Sequence, residues 1–400
     1  MTLAIGLMSG TSLDGIDAVL IDISGYGDKT SYRLIKGINT DYSQELRHKI
    51  LKASSKEQSD VQQICSLNFE LGYEFSKAVK KLLTEANKDP QDIDFIASHG
   101  QTIWHNPNNR DSYHSSTLQI GASAVIAYET GIEVVSNFRE MDIAAGGEGA
   151  PLVPYVDYLL HQNKHKNVII QNIGGIGNLT YIPKNGTLHD LVAMDTGPGN
   201  MMIDYVVNKY FNKKYDDGGL IASKGSIIQP LLEKLLEHPF ISQLPPKSTG
   251  REQFGEVYIK EMLDSIQIDQ YKPEDIVTTF THFTAETIVY QYNTFIKKYD
   301  EVLLAGGGSY NHYLVKLLKE KLKIDVFTME DKGFDSNFKE AIAFAILGNE
   351  TINQLTSNVP SATGASRSVI LGTITKAPFQ TKRSDNHGRF TKYNNRKKEH

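Results

Sequence analysis

Apolar and polar positions alternate in the same order twice along the chain. Residues 3–8 form an apolar run, residues 9–15 are rich in turn formers, and residues 16–23 alternate in part; this predicts strand, turn, strand. Segments 43–54 and 58–87 read as helices, the second because Ile64, Leu67, Leu71, Phe75 and Val79 recur at spacings of three and four. A short strand is expected at 94–97, running into Ser98-His99-Gly100. Another strand ends at 118–121 and leads into a helix over 121–131. A second strand–glycine–strand unit begins at Asn167, with strands at 168–171 and 179–182 around Asn172-Ile173-Gly174-Gly175-Ile176-Gly177-Asn178. A strand at 191–194 then ends on Asp195-Thr196-Gly197-Pro198-Gly199-Asn200, before a helix over 201–210. Further helices are expected at 225–236, 255–265, 274–297, 310–322 and 337–353, and a buried-type strand at 302–305 ends on Gly306-Gly307-Gly308.

The segment 6–23 therefore echoes 167–183 in pattern, each placing a glycine turn between two adjacent strands. Such an echo points to two related α/β halves facing each other. With 400 residues the chain suits two domains better than one core. A net charge of −5 gives no nucleic-acid footprint. The single cysteine, Cys65, cannot form an internal disulfide, which points to a reducing cytoplasm. The opening residues have no basic region and no sustained apolar run, so a signal peptide is not expected, and no apolar stretch is long enough for a membrane-spanning helix. Residues 376–400 carry eight Lys/Arg against Asp385 and Glu399, and read as a disordered, solvated tail.

Three glycine turns are candidates for phosphate. Without Cβ, backbone N–H groups can converge on an anion. Ser9-Gly10-Thr11-Ser12 adds hydroxyl donors, and Asp14 and Asp17 follow; a carboxylate beside polyphosphate acts through Mg²⁺. The turn at Gly174 and Gly175 is the second, and Gly306-Gly307-Gly308 the third, open enough for adenine or ribose. Each turn taken singly also reads as an ordinary tight connection. The chain has no G-x-x-x-x-G-K-[ST] and no G-x-G-x-x-G, which argues against P-loop and Rossmann sites. Asp195, at a strand end, is a candidate general base; an isolated Asp there also serves as an Asx-type cap. His99 and Gln101 are candidates for sugar hydroxyls, with a satisfied structural histidine as the alternative. Arg139 offers a planar fork for carboxylate or phosphate, or else a surface ion pair with Glu140 or Asp142. Trp104 reads as a buried core indole rather than a stacking platform. His99 and His105 lack metal-pair spacing, so no zinc site is expected.

In order, the segments GLMSGTSLDGIDAVL (6–20), ASHGQTIWHNP (97–107), REMDIAAGGEGAPLVP (139–154), NIGGIGNLT (172–180), DTGPGNMMID (195–204), STGREQFG (248–255), LLAGGGSYN (303–311), EAIAFAIL (340–347) and NVPSATGA (358–365) resemble the anhydro-N-acetylmuramic acid kinase family. The resemblance is collinear from residue 6 to about 372. It implies an α/β protein of the actin and sugar-kinase superfamily: two ribonuclease-H-like domains around an ATP cleft, 1–136 with about 354–375, and 137–353. It implies a homodimer, and ATP with Mg²⁺ as cofactors, the metal at Asp14. Nucleotide contacts would come from Ser9, Gly10, Thr11, Ser12, Leu13, Asp14, Gly15, Ile16 and Asp17, from Gly174, Gly175 and Asn178, and from Gly306, Gly307 and Gly308. The sugar would meet His99, Gln101, Arg139 and Glu340. Asp195 would activate water for attack at the anomeric carbon while the 6-oxygen takes the γ-phosphate, in recycling of the bacterial cell wall. The residues by themselves also allow a conventional sugar kinase with an Asp base, or a non-catalytic ATP-binding regulator. Two positions depart from the family's pattern: Asn137 stands where it reads Asp, and Glu148 where it reads Gln.

Overall fold

The first apolar run pairs with the second across the Ser9–Gly15 turn, and the whole architecture grows from that hairpin. The computed structural model describes residues 1–10, 13–107, 113–245 and 247–378, so Thr11, Ser12 and nearly all of the basic tail lie outside the described residues. In the first half β1 (Thr2–Ser9), β2 (Gly15–Ser24) and β3 (Ser31–Asp41) are antiparallel neighbours, while β4 (Phe95–Asn106) runs parallel to β1. Then come β5 (Ser116–Ile120), an antiparallel partner of β4, and β6 (Val134–Ser136), parallel to β4. The second half repeats this plan with β7 (Val168–Ile173), β8 (Ile176–Ile182), β9 (Val192–Pro198), β10 (Glu301–Ala305) and β11 (Asp325–Thr328). The final β12 (Thr373–Thr375) returns to the first sheet beside β6.

The five-strand cores run β3-β2-β1-β4-β6 and β9-β8-β7-β10-β11, each with only the second strand antiparallel to the rest, and β12 and β5 extend the first sheet. Both sheets thus have ribonuclease-H-like topology, and the echo between residues 6–23 and 167–183 is the first hairpin of each. The helices are α1 (Gln44–Ala53), α2 (Val61–Ala86), α3 (Ser123–Thr130), α4 (Glu140–Ala144), α5 (Val153–His161), α6 (Met201–Phe211), α7 (Gln229–Leu236), α8 (Pro239–Ser242), α9 (Arg251–Phe254), α10 (Glu256–Asp264), α11 (Pro273–Gln291), α12 (His312–Leu322), α13 (Lys339–Ile352) and α14 (Pro360–Thr363).

Most expected helices appear, shortened by their caps. The Asp60 carboxylate accepts from Gln63 N, so α2 starts at Val61 rather than 58, and Asn87 closes it in a left-handed conformation. Helix α11 stops at Gln291, where a wider turn runs to Ile296. Strand β3 and helix α5 were not expected. Trp104 is 37% exposed, not core, with the Lys56 ammonium 5.2 Å from its ring centre.

Strand alternation sorts the apolar side chains onto two faces. Ile5 and Leu7 of β1, with Ile16, Ala18 and Leu20 of β2, meet Leu71, Phe75 and Val79 of α2. Ala4, Met8, Val19, Ile21 and Ile23 face the other way, into a core shared with Val168, Ile170, Leu303 and Ala305 of the second sheet. Helices α5 and α13 fill that shared layer. Residues Ala341–Leu347 of α13 are all 3% exposed or less. Burying Ile342, Phe344, Ile346 and Leu347 contributes about 1.5–3 kcal/mol each.

This placement changes the expected division at residue 353, because α13 packs against β1, β2 and β4 of the first sheet. Gly6 is the reason it can approach: a Cβ there would lie 2.0 Å from the Ala341 carbonyl oxygen. Glu350 of α13 then ties the layer together. Its carboxylate accepts from Gly27 N (3.1 Å), from the Thr30 hydroxyl (3.3 Å) and from the Tyr155 hydroxyl (3.1 Å).

Gly6→Val should therefore lower stability by about 3 kcal/mol, read as a lower urea midpoint at unchanged slope. An unchanged midpoint would contradict the close packing of α13 on β1.

Candidate active site

The first glycine turn is built from the inside. Ser9 and Gln101 are buried, and the Ser9 hydroxyl lies 2.7 Å from Gln101 Oε1 and 2.9 Å from the Gly15 carbonyl. The Tyr42 hydroxyl donates to Ser9 Oγ at 2.8 Å, and Gln101 Nε2 donates to the Gly10 and Thr102 carbonyls. Ser9 thus braces the turn with its side chain instead of offering a hydroxyl to ligand, and Gln101, expected on the sugar, is spent as the same brace. Leu13 takes φ 59°, which turns the chain so that Asp14 is exposed and Gly15 and Ile16 enter β2 buried. A Cβ on Gly15 would meet the Thr40 carbonyl, so only glycine fits there.

Asp17 is half-buried. Burial pushes its carboxyl up, Asn39 Nδ2 donating at 2.8 Å opposes this, and Asp14 adds to it. Glu340, at the start of α13, is exposed to water yet ringed by protein, as a residue on a cleft wall would be. Burial raises its pKa, Arg139 and Lys339 lower it and Asp17 raises it, so these four charges share one neighbourhood.

Arg139 is held in place rather than paired on the surface with Glu140 or Asp142. Its Nε–H donates to His99 Nε2 (3.0 Å) and its Nη1–H to the Gly149 carbonyl (2.7 Å). Nη2 has no hydrogen bond among the described residues. His99 is buried, and its Nδ1–H faces the Gly100 carbonyl at 2.9 Å. Burial, then Arg139, keep this imidazole well below its usual range, hence neutral. His99 therefore has both ring nitrogens engaged, one by Arg139 and one by the Gly100 carbonyl, and orients Arg139.

Asp142 fixes the loop that carries Gly149. Fully buried, it accepts from Gly149 N (2.8 Å), Asn358 Nδ2 (2.7 Å) and the Thr363 hydroxyl (2.8 Å). This joins the 139–154 and 358–365 segments. Asn137 takes φ 57°, which Asn and Asp both tolerate, so its departure from the family pattern keeps the backbone. Glu148 is exposed.

In the second lobe the glycine turns pack on each other. Gly199 N and Met201 N donate to the Gly175 carbonyl and Asn200 N to the Gly174 carbonyl, so the start of α6 docks on that turn. A Cβ on Gly308 would strike Ile173, and one on Gly306 would strike Asn172, whereas Gly307 is exposed with nothing closer than 3.5 Å. The third turn thus presents one flat glycine face beside Asn200.

Asp195 lies inside β9, which continues to Pro198, so it caps no helix. It pairs across the ladder with Asn178, which sets both side chains on one face. Its N–H donates to the Lys247 carbonyl (3.1 Å), and its Oδ2 accepts from Thr249 N (2.8 Å). Burial pushes its pKa up to about 6; Thr249 N and Lys247 lower it, and Glu252 raises it. A half-buried carboxylate with one oxygen clamped and a pKa near neutrality suits a general base. Lys247, Thr249 and Glu252 were not singled out from sequence, and Asp142 was named only as a possible ion-pair partner of Arg139.

Two lobes of one topology, with a glycine turn in the first hairpin of each and a poised carboxylate in the second, define the actin and sugar-kinase class. A sequence model of the anhydro-N-acetylmuramic acid kinase family matches residues 2–377. The chain is 54% identical over 381 residues to an anhydro-N-acetylmuramic acid kinase of Clostridioides difficile (strain 630), covering 94% of this chain and 99% of that one. It is 51% identical over 373 residues to that of Francisella tularensis subsp. novicida (strain U112), covering 92% and 97%. Among solved structures it is similar to an activator of the 2-hydroxyisocaproyl-CoA dehydratase from Clostridium difficile with bound ADPNP, at 14% identity and a TM-score of 0.44, covering 86% and 93%. The chain belongs to the anhydro-N-acetylmuramic acid kinase family.

With a folded pKa of about 6 against an ordinary 3.8, Asp195 binds its proton more tightly in the folded chain. Stability then falls as pH rises through that window and stays lower above it. Asp195→Asn keeps an oxygen for Thr249 N. It should be more stable than wild type at pH 7.5 by roughly 1–2 kcal/mol and lose that advantage near pH 4. Paired thermal melts at the two pH values check this.

Proposed function

We propose that this chain is an ATP-dependent kinase that opens the 1,6-anhydro ring of anhydro-N-acetylmuramic acid with water and phosphorylates O6. The product is N-acetylmuramic acid 6-phosphate, for recycling of cell-wall peptidoglycan. The observation that carries the reading is Asp195, clamped by Thr249 N and held up to about pKa 6, in the family's DTGPGN segment.

The substrate has no free 6-hydroxyl, so the base acts on water. Asp195 takes the water's proton as the water oxygen bonds to C1. The C1–O6 bond breaks, O6 bonds to the γ-phosphorus, and the bond from that phosphorus to the β-phosphate bridging oxygen breaks, releasing ADP. The burial that raises Asp195 also makes it a stronger base than an exposed carboxylate.

Arg139, whose Nη2 has no hydrogen bond among the described residues, and Glu340, whose charge it influences, supply the sugar contacts, the former suited to the lactyl carboxylate. His99 and Gln101 act behind them. Gly10, Asp14 and Asp17 serve the phosphates with Leu13, Gly15 and Ile16 buried behind them, Gly174, Gly175 and Asn178 the facing side, and Gly306, Gly307 and Gly308 the nucleoside. Asp14 and Asp17, neighbouring carboxylates at the first turn, fit a hard cation such as Mg²⁺, which neutralises phosphate charge when bound. Closure of the two lobes about the α5–α13 layer would exclude bulk water. No described helix is long and apolar enough to cross a membrane. A cytoplasmic location is consistent with the lone cysteine, and a homodimer with the exposed apolar stripe Val61, Phe69 and Tyr73 on α2.

The test is ADP release with the anhydro sugar and with its hydrolysed form. Wild type should turn over the anhydro sugar, and kcat/KM should fall about tenfold per pH unit below about pH 6 as Asp195 is protonated. Asp195→Asn should lose on the order of 10³-fold in kcat. Equal use of the hydrolysed sugar would point instead to a conventional hydroxyl kinase.

A further inference from the structure

Lys247 is a buried cation that the reaction as described leaves without a role. It is 6% exposed, yet no carboxylate among the described residues pairs with it. Its ammonium instead donates to two carbonyls at the end of α8, Phe240 O and Ile241 O, both at 3.1 Å. It also sits 4.6 Å from the ring centre of Phe240 and 4.9 Å from that of Phe295. Gln291 Nε2 donates to the same Ile241 carbonyl, which locks the acceptor in place.

A lysine costs more to bury than an apolar residue of its length, so something must be gained from its charge. The backbone around it shows what. The Lys247 carbonyl accepts from Asp195 N, and two residues later Thr249 N donates to Asp195 Oδ2. The 247–249 segment therefore grips Asp195 at both its main chain and its side chain. This segment lies in no strand or helix of its own. Its anchor is the Lys247 side chain.

We propose that Lys247 is a positioning residue for Asp195, pinning the 247–249 clamp to α8 and keeping a buried positive charge within electrostatic reach of the carboxylate. This rests on the reading of Asp195 as the base.

The charges around the pair are few. Glu252 of α9 opposes Lys247 by raising the Asp195 pKa. Arg251 precedes it on the same short helix. His238, ahead of α8, is stacked on Phe254 and lowered by burial. On α11, Glu286 pairs with Lys321, and His282 meets the Tyr313 hydroxyl. On β8 only Tyr181 is ionisable, and it donates to Asn167. Lys247 is thus the cation whose charge, after the Thr249 N–H, opposes Glu252 and burial at Asp195. Burial brings Lys247 itself down to about 8, and Asp195 holds it up.

The experiment is the pH profile of kcat/KM for the anhydro sugar in Lys247→Gln, Lys247→Met and Lys247→Arg. Gln removes the charge and keeps N–H donors on a side chain one atom shorter, so it retains part of the anchor. In Lys247→Gln the acidic limb should move up by about one pH unit, giving roughly fivefold lower kcat/KM at pH 6, recovery by pH 8.5, and an unchanged KM for ATP. Lys247→Arg should keep the limb of the wild type. Lys247→Met should show the shifted limb with a lower kcat at every pH, because the clamp is also loosened.

A limb that stays in place in Lys247→Gln would overturn the proposal, even if activity fell, since a purely structural lysine lowers activity without moving it. Asp195→Asn distinguishes the two readings. Full activity in that variant would remove the base itself, whereas an inactive Asp195→Asn with an unmoved Lys247→Gln limb removes only the role of Lys247.

Discussion

Each sheet has an apolar face that cannot be left in water, and the two faces are covered by the same layer. Ala4, Val19 and Ile21 on one side and Val168, Ile170 and Leu303 on the other bury against α5 and α13. Gly6 allows α13 to lie against β1 at backbone distance, and Glu350 fastens its far end to the 27–30 turn and to Tyr155. From this layer the rest follows. Glu340 is set at the head of α13, beside Asp17 and Arg139, because the helix body is locked between the sheets.

The carboxylates of the site show how one residue type takes opposite roles. Asp142 is fully buried and accepts three hydrogen bonds, so its charge is satisfied and it serves as a knot. Asp195 has one oxygen clamped by Thr249 N and the other without a hydrogen bond among the described residues, with burial opposing its charge. The first arrangement spends the carboxylate on structure, and the second leaves one oxygen without a bond among the described residues. His99 and Arg139 form a similar contrast, a neutral imidazole spent in orienting a guanidinium that keeps Nη2 available.

Local signals in the sequence account for what was legible in it. The α2 stripe and the β1 and β2 runs read directly because their periods match the faces they bury. The glycine turns read because only glycine fits beside the Thr40 carbonyl at Gly15 or beside Ile173 at Gly308. Strand β3 escaped because it is an edge strand with mostly half-exposed positions, and its Ser, Arg, Lys and Asn break the alternation. Helix α5 escaped because it is apolar nearly all round, which hides its period. The clamp on Asp195 comes from residues 54 positions away, and Asn358 reaches Asp142 across 216 positions. Such pairings are tertiary and leave no spacing to read. His99 and Gln101 were expected at the substrate because polar residues after a strand suggest a cleft; burial turned both inward.

The central claim is that water opens the anhydro ring at C1 while the sugar's own O6 receives the phosphoryl group. Turnover of unlabelled anhydro-N-acetylmuramic acid and ATP in ¹⁸O-water, followed by mass spectrometry of the product fragments, tests it most directly. The account predicts one ¹⁸O at the C1 hydroxyl of the 6-phosphosugar and none in its phosphate. Label in the phosphate, or a C1 oxygen at natural abundance, would contradict it.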